Sequence, residues 1–335
     1  MTVLVTGGSG LVGSHVIEAL RARGEPVRAL VRDRSRAAVQ ALGADALAGD
    51  VTDLEAWRRA ARGVRGIVHA AALVAPRATY EEFERVNVGA TRLAVLAARA
   101  ESARLVHISS VAVYGRASTY QAGRGAVAED FPLQPLSPHD FYARTKRLAE
   151  DVVRDAAGDG LTAVALRPNV IYGERDRLFT PRVLATVRRG IVPGVGPGTN
   201  QLSCVYAGNV AAAAVAALDR PLPGGAAFRA YNVTHDAAPP LTQREFFAAF
   251  GEAAGVRVRW VRVPMAFARA GVLLWNRWMR LRDPERYGGL AGAAVWFLVG
   301  DNPYDANRAR VELGWVPPFD ARAAIGRTVR GSSAG

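Results

Sequence analysis

The chain is almost without lysine: among its 43 basic residues a single one, Lys146, carries an ammonium, and the rest are arginine. Arginine is a planar, permanently charged fork, whereas lysine is a compact point charge on a flexible stem. Where a cation need only be solvated or paired the two exchange, so the exception marks a place for chemistry a guanidinium does not perform. Cysteine is as scarce. Cys204 stands alone, which excludes a disulfide within one chain and a thiolate cage for zinc, and points to a reducing, cytoplasmic compartment. Five scattered histidines lack paired spacing, so no metal site is expected. No uninterrupted apolar run reaches the ~18 residues of a transmembrane span, and no signal peptide is expected at the start. Basic residues form no block of five or more, which argues against nucleic-acid binding despite the net charge of +13.

What is present is globular. Over 335 residues, half are hydrophobic and 22% charged, enough for one large α/β unit and a smaller lobe. The first thirty residues carry the strongest local pattern. Thr2–Thr6 is a short apolar run rich in β-branched residues, and Gly7, Gly10 and Gly13 follow it. From Leu11 the residues Val12, Val16, Ile17 and Leu20 keep helical spacing up to Gly24, and a second apolar run covers Val27–Val31. Strand, glycine turn, helix and strand begin a βαβ unit. In that setting Gly7 permits the tight turn, Gly10 lets backbone approach a pyrophosphate, and Gly13 lets the helix pack closely on the strand. The spacing is Gly-x-x-Gly-x-x-Gly rather than the commoner Gly-x-Gly-x-x-Gly. At the end of the second run, Arg32, Arg34 and Arg36 crowd the place where an NAD site usually has a carboxylate, which favours the 2′-phosphate of NADP. Asp33 is the contrary residue, and NAD is the alternative.

A second constellation lies further on. Arg104–Ile108 reads as a buried strand running into Ser109, Ser110 and then Tyr114-Gly115. After a Pro- and Gly-rich stretch, Tyr142 and Lys146 open a helix four residues apart, hence on one face. A phenol titrates near ~10 and an adjacent ammonium lowers that value. Tyr142 is therefore expected to exchange a proton, with Lys146 lowering its pKa and binding the nicotinamide ribose. A serine at the strand end would hold the substrate oxygen. His15, on the first helix, and His107, within a strand, read as packed rather than catalytic.

With these residues in view, the chain resembles an extended short-chain dehydrogenase/reductase over nearly its whole length. Thr6-Gly7-Gly8-Ser9-Gly10-Leu11-Val12-Gly13 is similar to that family's cofactor motif. Gly49-Asp50-Val51-Thr52-Asp53 resembles the segment whose acid, here Asp50, meets the adenine. His69-Ala70-Ala71-Ala72 resembles the strand end beneath the cofactor, Asn87-Val88-Gly89-Ala90-Thr91 the helix asparagine motif, and Leu166 through Pro168, Asn169, Val170 and Gly173 the strand end closing over the nicotinamide. The resemblance implies a catalytic triad of Ser110, Tyr142 and Lys146. Ser110 is preferred to Ser109 because the family's Tyr-Gly pair follows its catalytic hydroxyl at the distance of Tyr114-Gly115. It also implies a Rossmann-type doubly wound parallel sheet with a smaller C-terminal substrate lobe. The sheet domain is expected over residues 1–175 with a return at 203–233, and the lobe over 176–202 and 234–335.

For the substrate, the sugar-nucleotide members usually carry an Arg-Asp pair ahead of a strand reading Val-Tyr-Val-x-Asp-Val. This chain reads Gln201-Leu202-Ser203-Cys204-Val205-Tyr206-Ala207-Gly208-Asn209-Val210, without the pair and with Asn209 in place of the acid. That resembles the 3-beta-hydroxysteroid and sterol-4-carboxylate dehydrogenase branch and implies a hydrophobic small-molecule substrate. Apolar helical stretches at Pro264–Trp275 and Leu290–Val299 agree, the second carrying Trp296 and Phe297. Trp275 and Trp278 among Arg277, Arg280 and Arg282 could instead form a lip for peripheral membrane contact. Gly194 to Gly198 reads as a loop bordering the substrate, and residues 115–140 as a candidate lid. A homodimer through the Tyr142 helix is also expected. The alternatives are a sugar-nucleotide epimerase or dehydratase, and a non-catalytic dinucleotide-binding sensor.

Overall fold

Short β-branched runs alternate with amphipathic helices through the first 233 residues, and in the computed structural model they assemble into one parallel sheet. The structure describes all residues except 76, 116–125, 159, 284, 286–303 and 334–335. The strands are β1 (Thr2–Thr6), β2 (Val27–Val31), β3 (Asp45–Ala48), β4 (Val64–His69), β5 (Arg104–Ile108), β6 (Ala163–Pro168), β7 (Val170–Tyr172), β8 (Ile191–Val195), β9 (Cys204–Tyr206), β10 (Phe228–Val233) and β11 (Arg259–Val263). Seven of them form the main sheet in the order β3-β2-β1-β4-β5-β6-β10, with all neighbours parallel. The chain leaves β1 toward β2 on one side and returns to β4 on the other. This reversal opens a crevice at the carboxyl ends of β1 and β4, where doubly wound sheets bind ligands.

Both faces of the sheet are covered. The helices Leu11–Ala22 and Ala207–Asp219 bury Val16, Ile17, Leu20, Val210 and Ala214 on one face. Leu54–Ala61, Ala90–Ala100 and Phe141–Ala156 bury Trp57, Ala94, Ala98 and Val153 on the other. The strands are accordingly apolar on both sides, as a fully covered parallel sheet requires. A third core of Tyr172, Val183, Leu184, Phe246, Phe250 and Ile325 holds the remaining elements together. It carries two small parallel pairs, β7 with β9 and β8 with β11.

One sequence expectation is corrected here. Gly194 and Val195 belong to strand β8 rather than to a loop. The indole of Trp260 on β11 lies over Gly194, where any Cβ would fall inside the ring, so the glycine makes room for a neighbouring side chain within a strand. Of the expected lid, residues 116–125 lie outside the described residues. The rest is held in place by a bridge from Val127 to Tyr304 and by the buried Glu129. The Leu290–Val299 stretch also lies outside the described residues. Among those described, no helix is long and apolar enough to cross a membrane, and no group of His, Cys, Asp and Glu side chains could hold a metal ion.

Candidate active site

Three neighbouring strands end side by side: Thr6 of β1 is in register with His69 of β4, and His69 with His107 of β5. The segments that follow these ends build the site. After β1 the chain turns at Gly7, whose φ of 70° is left-handed; a Cβ there would lie 2.8 Å from the Ala71 nitrogen. A Cβ on Gly13 would lie 2.3 Å from the Gly7 carbonyl oxygen, so the helix meets the turn closely because Gly13 lacks a side chain. At Gly10 the same atom would meet nothing nearer than 3.2 Å, leaving the approach from outside open. The helix starting at Leu11 has no side-chain cap and no acid in its first turn. Its leading N–H groups and positive dipole end are thus available to an anion, which fits a cofactor pyrophosphate. Val12 is committed to the core, so any contact it makes with a ligand is through its backbone.

The cofactor's far end has its own candidates. Asp50 accepts hydrogen bonds from the Thr52 nitrogen at 2.9 Å and hydroxyl at 2.8 Å. The Thr52 backbone bond chiefly, with the Thr52 hydroxyl, Arg32 and Arg85 adding, holds its carboxyl below the ordinary range against the opposing effect of burial. Val51 beside it is half-buried, and Arg32, Arg34 and Arg36 are exposed at the end of β2 together with Asp33. Ala70 and Ala71 are half-buried and Ala72 exposed at the end of β4, with the Ala71 nitrogen donating to the Thr6 hydroxyl at 3.3 Å. Pro168 is buried at the end of β6, and Val170, half-buried, opens β7.

Asn87 is placed differently from the expected cofactor contact. Its oxygen accepts from the Leu73 nitrogen at 2.7 Å, and its amide nitrogen donates to the Leu73 carbonyl and the Thr145 hydroxyl. The side chain therefore braces the loop after β4 against the helix of Tyr142 and Lys146. It sits in a π-helical stretch, Glu84–Gly89, which the sequence pattern does not disclose.

At the end of β5 the two serines turn opposite ways. Ser109 is buried and donates to the Glu150 carboxylate at 2.6 Å. Ser110 caps the short turn Val111–Tyr114, accepting from the Ala112 nitrogen at 3.1 Å, and its hydroxyl is hydrogen-bonded with that of Tyr142. Tyr142, near the start of the Phe141–Ala156 helix, also packs on a cluster of Ala78, Phe83 and Phe141, which Leu73, Ala75 and Tyr80 flank as well. An open cavity of about 450 Å³, lined in part by Tyr80, Pro138 and Phe141, borders this cluster.

The ionisation of the pair departs from the sequence expectation. Burial pushes the Tyr142 phenol above its ordinary value, Ser110 offsets this only in part, and Lys146 is not among the groups acting on it. The cause is where the lysine points. Lys146 is 1% exposed and donates to the Ile108 carbonyl at 2.5 Å, with the His107 ring nitrogen Nε2 at 3.4 Å. Burial brings its own pKa down to about 8, opposed by Glu150. His107 is thus a neighbour of the lysine rather than only a packed strand residue. Burial, with the Lys146 charge adding, depresses both strand-end histidines, His69 to about 3 and His107 well below the ordinary value. Lys146 therefore sits buried beside the neutral His107 ring.

Residues the motifs leave out stand directly behind. Glu150 and Arg167 form a buried ion pair at 2.5 Å. Arg167 also donates to the Tyr114 hydroxyl at 2.7 Å, which donates in turn to Asn232 at 2.8 Å. Glu150 follows Lys146 by four residues and so shares its helix face, a signal available in the sequence. Arg167 comes from a strand and is unreadable without the fold.

Comparisons with known proteins place the chain in a family. Residues 3–234 match the NAD dependent epimerase/dehydratase family. The chain is 35% identical over 317 residues to the 4-hydroxy-2-methyl-3-oxo-4-farnesyl-3,4-dihydroquinoline-1-oxide ketoreductase of Stigmatella aurantiaca, covering 94% of this chain and 92% of that one. It is 31% identical over 344 residues to the 2-alkyl-3-oxoalkanoate reductase of Stenotrophomonas maltophilia, covering 100% of both. The same identity holds over 336 residues with a 3 beta-hydroxysteroid dehydrogenase/Delta 5-->4-isomerase of Mycobacterium tuberculosis, covering 96% of this chain and 88% of that one. Among solved structures, a dTDP-glucose 4,6-dehydratase from Bacillus anthracis in complex with NAD superposes with a TM-score of 0.72 at 18% identity, over 100% of this chain and 96% of that one. With the strand-end crevice, the glycine turn and the Ser110–Tyr142 hydroxyl pair described, these matches assign the chain to the NAD-dependent epimerase/dehydratase family as an oxidoreductase of the extended short-chain dehydrogenase/reductase type.

Proposed function

We propose that the enzyme reduces a ketone on a hydrophobic small molecule to a secondary alcohol, using NADPH. The observation that carries this reading is the Ser110–Tyr142 hydroxyl pair, with the phenol held protonated by burial. A proton held at that oxygen is ready to pass to a carbonyl oxygen that is gaining charge. Ser110 orients the same carbonyl oxygen. Lys146 spends one N–H on Ile108 and faces His107, and a remaining donor suits a ribose hydroxyl. The turn Gly7–Gly13 and Asp50 would hold the cofactor, and Arg32, Arg34 and Arg36 its 2′-phosphate. When bound, the cofactor supplies the hydride. The apolar surround of Tyr142 favours a hydrophobic substrate, and the printed names of the ketoreductase and reductase relatives point the same way.

The test is a panel of steroid, long-chain 3-oxo and UDP-sugar substrates run with NADPH and NADH while nicotinamide absorbance is followed. Oxidation of NADPH by an apolar ketone is expected. Turnover of a UDP-sugar with no net absorbance change would overturn the proposal in favour of epimerisation or dehydration. For the cofactor, the Arg32→Gln/Arg34→Gln variant should raise KM for NADPH far more than for NADH; an equal rise would remove these arginines from phosphate recognition.

A further inference from the structure

The Met265–Arg282 helix is an unusual surface element. Only Met279 among its described side chains is buried, with Asn276 half-buried beside it. Facing away from these, Phe267, Leu274 and Leu281 are 72%, 68% and 77% exposed. They recur every seven residues, and Trp278 lies on the same face, so the four form one stripe about 21 Å long at 1.5 Å per residue. Trp275 flanks the stripe with its ring 5.2 Å from that of Trp278, and the Arg282 guanidinium lies 5.0 Å over the Trp278 ring. Isolated exposed apolar residues are ordinary on a soluble protein; a stripe of four on one helix face, three of them two-thirds exposed or more, is not.

Charge is segregated in the same place. Residues 253–282 contain seven arginines and no aspartate or glutamate, in a chain whose net charge is +13. More than half of the protein's excess charge is thus concentrated in under a tenth of its length. Arg257, Arg259 and Arg262, on and before the two-stranded edge at β11, are exposed, as are Arg277 and Arg282 on the helix.

We infer that this helix docks on an anionic phospholipid surface, with the Phe267–Leu281 stripe lying in the interface and the arginines at headgroup level. An apolar face bearing two tryptophans and flanked by Arg277 and Arg282 is the composition that partitions into such an interface. A second copy of the chain is a poorer occupant, because a two-fold contact would bring one arginine-rich, acid-free segment against another. The arrangement lets the enzyme work beside membrane-dissolved molecules, but the inference stands whatever the substrate is, since it is read without turnover.

The experiment is flotation of the full-length protein with phosphatidylcholine vesicles, with and without phosphatidylglycerol, alongside tryptophan emission. Binding to the anionic vesicles is expected to be tighter by about tenfold or more than to phosphatidylcholine alone, to weaken with salt, and to shift tryptophan emission to the blue. The triple variant Phe267→Ser, Leu274→Ser, Leu281→Ser should lose this binding while unfolding at the wild-type temperature. The Arg277→Gln/Arg282→Gln variant should lose the preference for phosphatidylglycerol. Equal partition of the wild type onto both vesicle types, no partition at all, or unchanged binding by the triple variant would each overturn the inference. So would light scattering that shows a dimer which the triple variant splits, since the stripe would then be covered by a second copy.

Discussion

Tyr142 and Lys146 show how far single residues can be read. Their spacing put them on one helix face, and the scarcity of lysine singled out the second. The direction of the phenol's shift was not readable, because it depends on what the ammonium faces, and that is set by the end of β5. The Ile108 carbonyl and the His107 ring hold Lys146 from the sheet side, and neither is near it in sequence. Tyr142→Phe removes the hydroxyl proposed as proton donor and leaves the proposed cofactor cradle at Gly7–Gly13 untouched. It should lower kcat by about 10²–10⁴-fold with cofactor affinity unchanged, measured by steady-state kinetics and cofactor titration; retained turnover would place the donor elsewhere. Lys146 makes a separate prediction about stability. Its pKa is about 8 in the fold against 10.5 as the ordinary value, so between these values the unfolded chain holds more protons. The cost of burying the ammonium is then fully present below about pH 8 and is relieved as pH rises toward 10.5. Between about pH 7.5 and about pH 9.5, the wild type should gain roughly 2 kcal/mol relative to Lys146→Met, read by urea unfolding at both values. Parallel changes in the two proteins would mean that the lysine reaches water.

At the scale of elements, the first βαβ unit lies where its periodicity predicts, because a buried strand and an amphipathic helix each announce themselves in a dozen residues. The pairs β7/β9 and β8/β11 were not legible. Each joins three to five residues to a partner more than thirty positions away, and such runs carry no pattern of their own. The same holds for the buried polar network that fixes the ends of β5 and β6 against the Phe141–Ala156 helix. Glu150 there accepts from Ser109 and from three Arg167 donor contacts. Glu150→Gln would leave the Arg167 charge buried without its counter-ion, a change that costs about 3–5 kcal/mol. Pairing it with Arg167→Met should recover much of that loss, because the desolvated charge is then gone as well. Both are measured by urea unfolding; a double variant as unstable as the single would show that the network stabilises through its shape and not its charges. Ser109 adjoins Ser110, so the single variant should also turn over slowly at temperatures where it remains folded.

For the whole molecule, the decisive residue is Asn209, which the sequence shows only as a departure from the family's acid. The fold supplies the missing carboxylate from another strand end. Asp236 accepts from the Asn209 amide at 2.7 Å, from the Tyr206 nitrogen at 2.9 Å and from the Tyr172 hydroxyl at 2.8 Å. Asn209 also donates to the Phe319 carbonyl and accepts from the Phe319 nitrogen, and its own carbonyl accepts from the Trp315 indole. This one amide therefore ties the helix beneath the main sheet to the β7/β9 pair and to the C-terminal segment. Burial pushes Asp236 up to about 6, against the hydrogen bonds that pull it down. A raised carboxyl favours the fold at low pH, and that advantage is lost as pH rises through 6. Asn209→Asp would set a second carboxyl at hydrogen-bond distance from the first, and two such groups can share a proton but cannot both ionise cheaply. The variant should thus be close to wild type at about pH 5 and melt lower by about 5 °C or more at about pH 8, followed by thermal unfolding. An equal deficit at both values would show that the amide acts by shape alone, and that Asp236 does not feel the substituted charge.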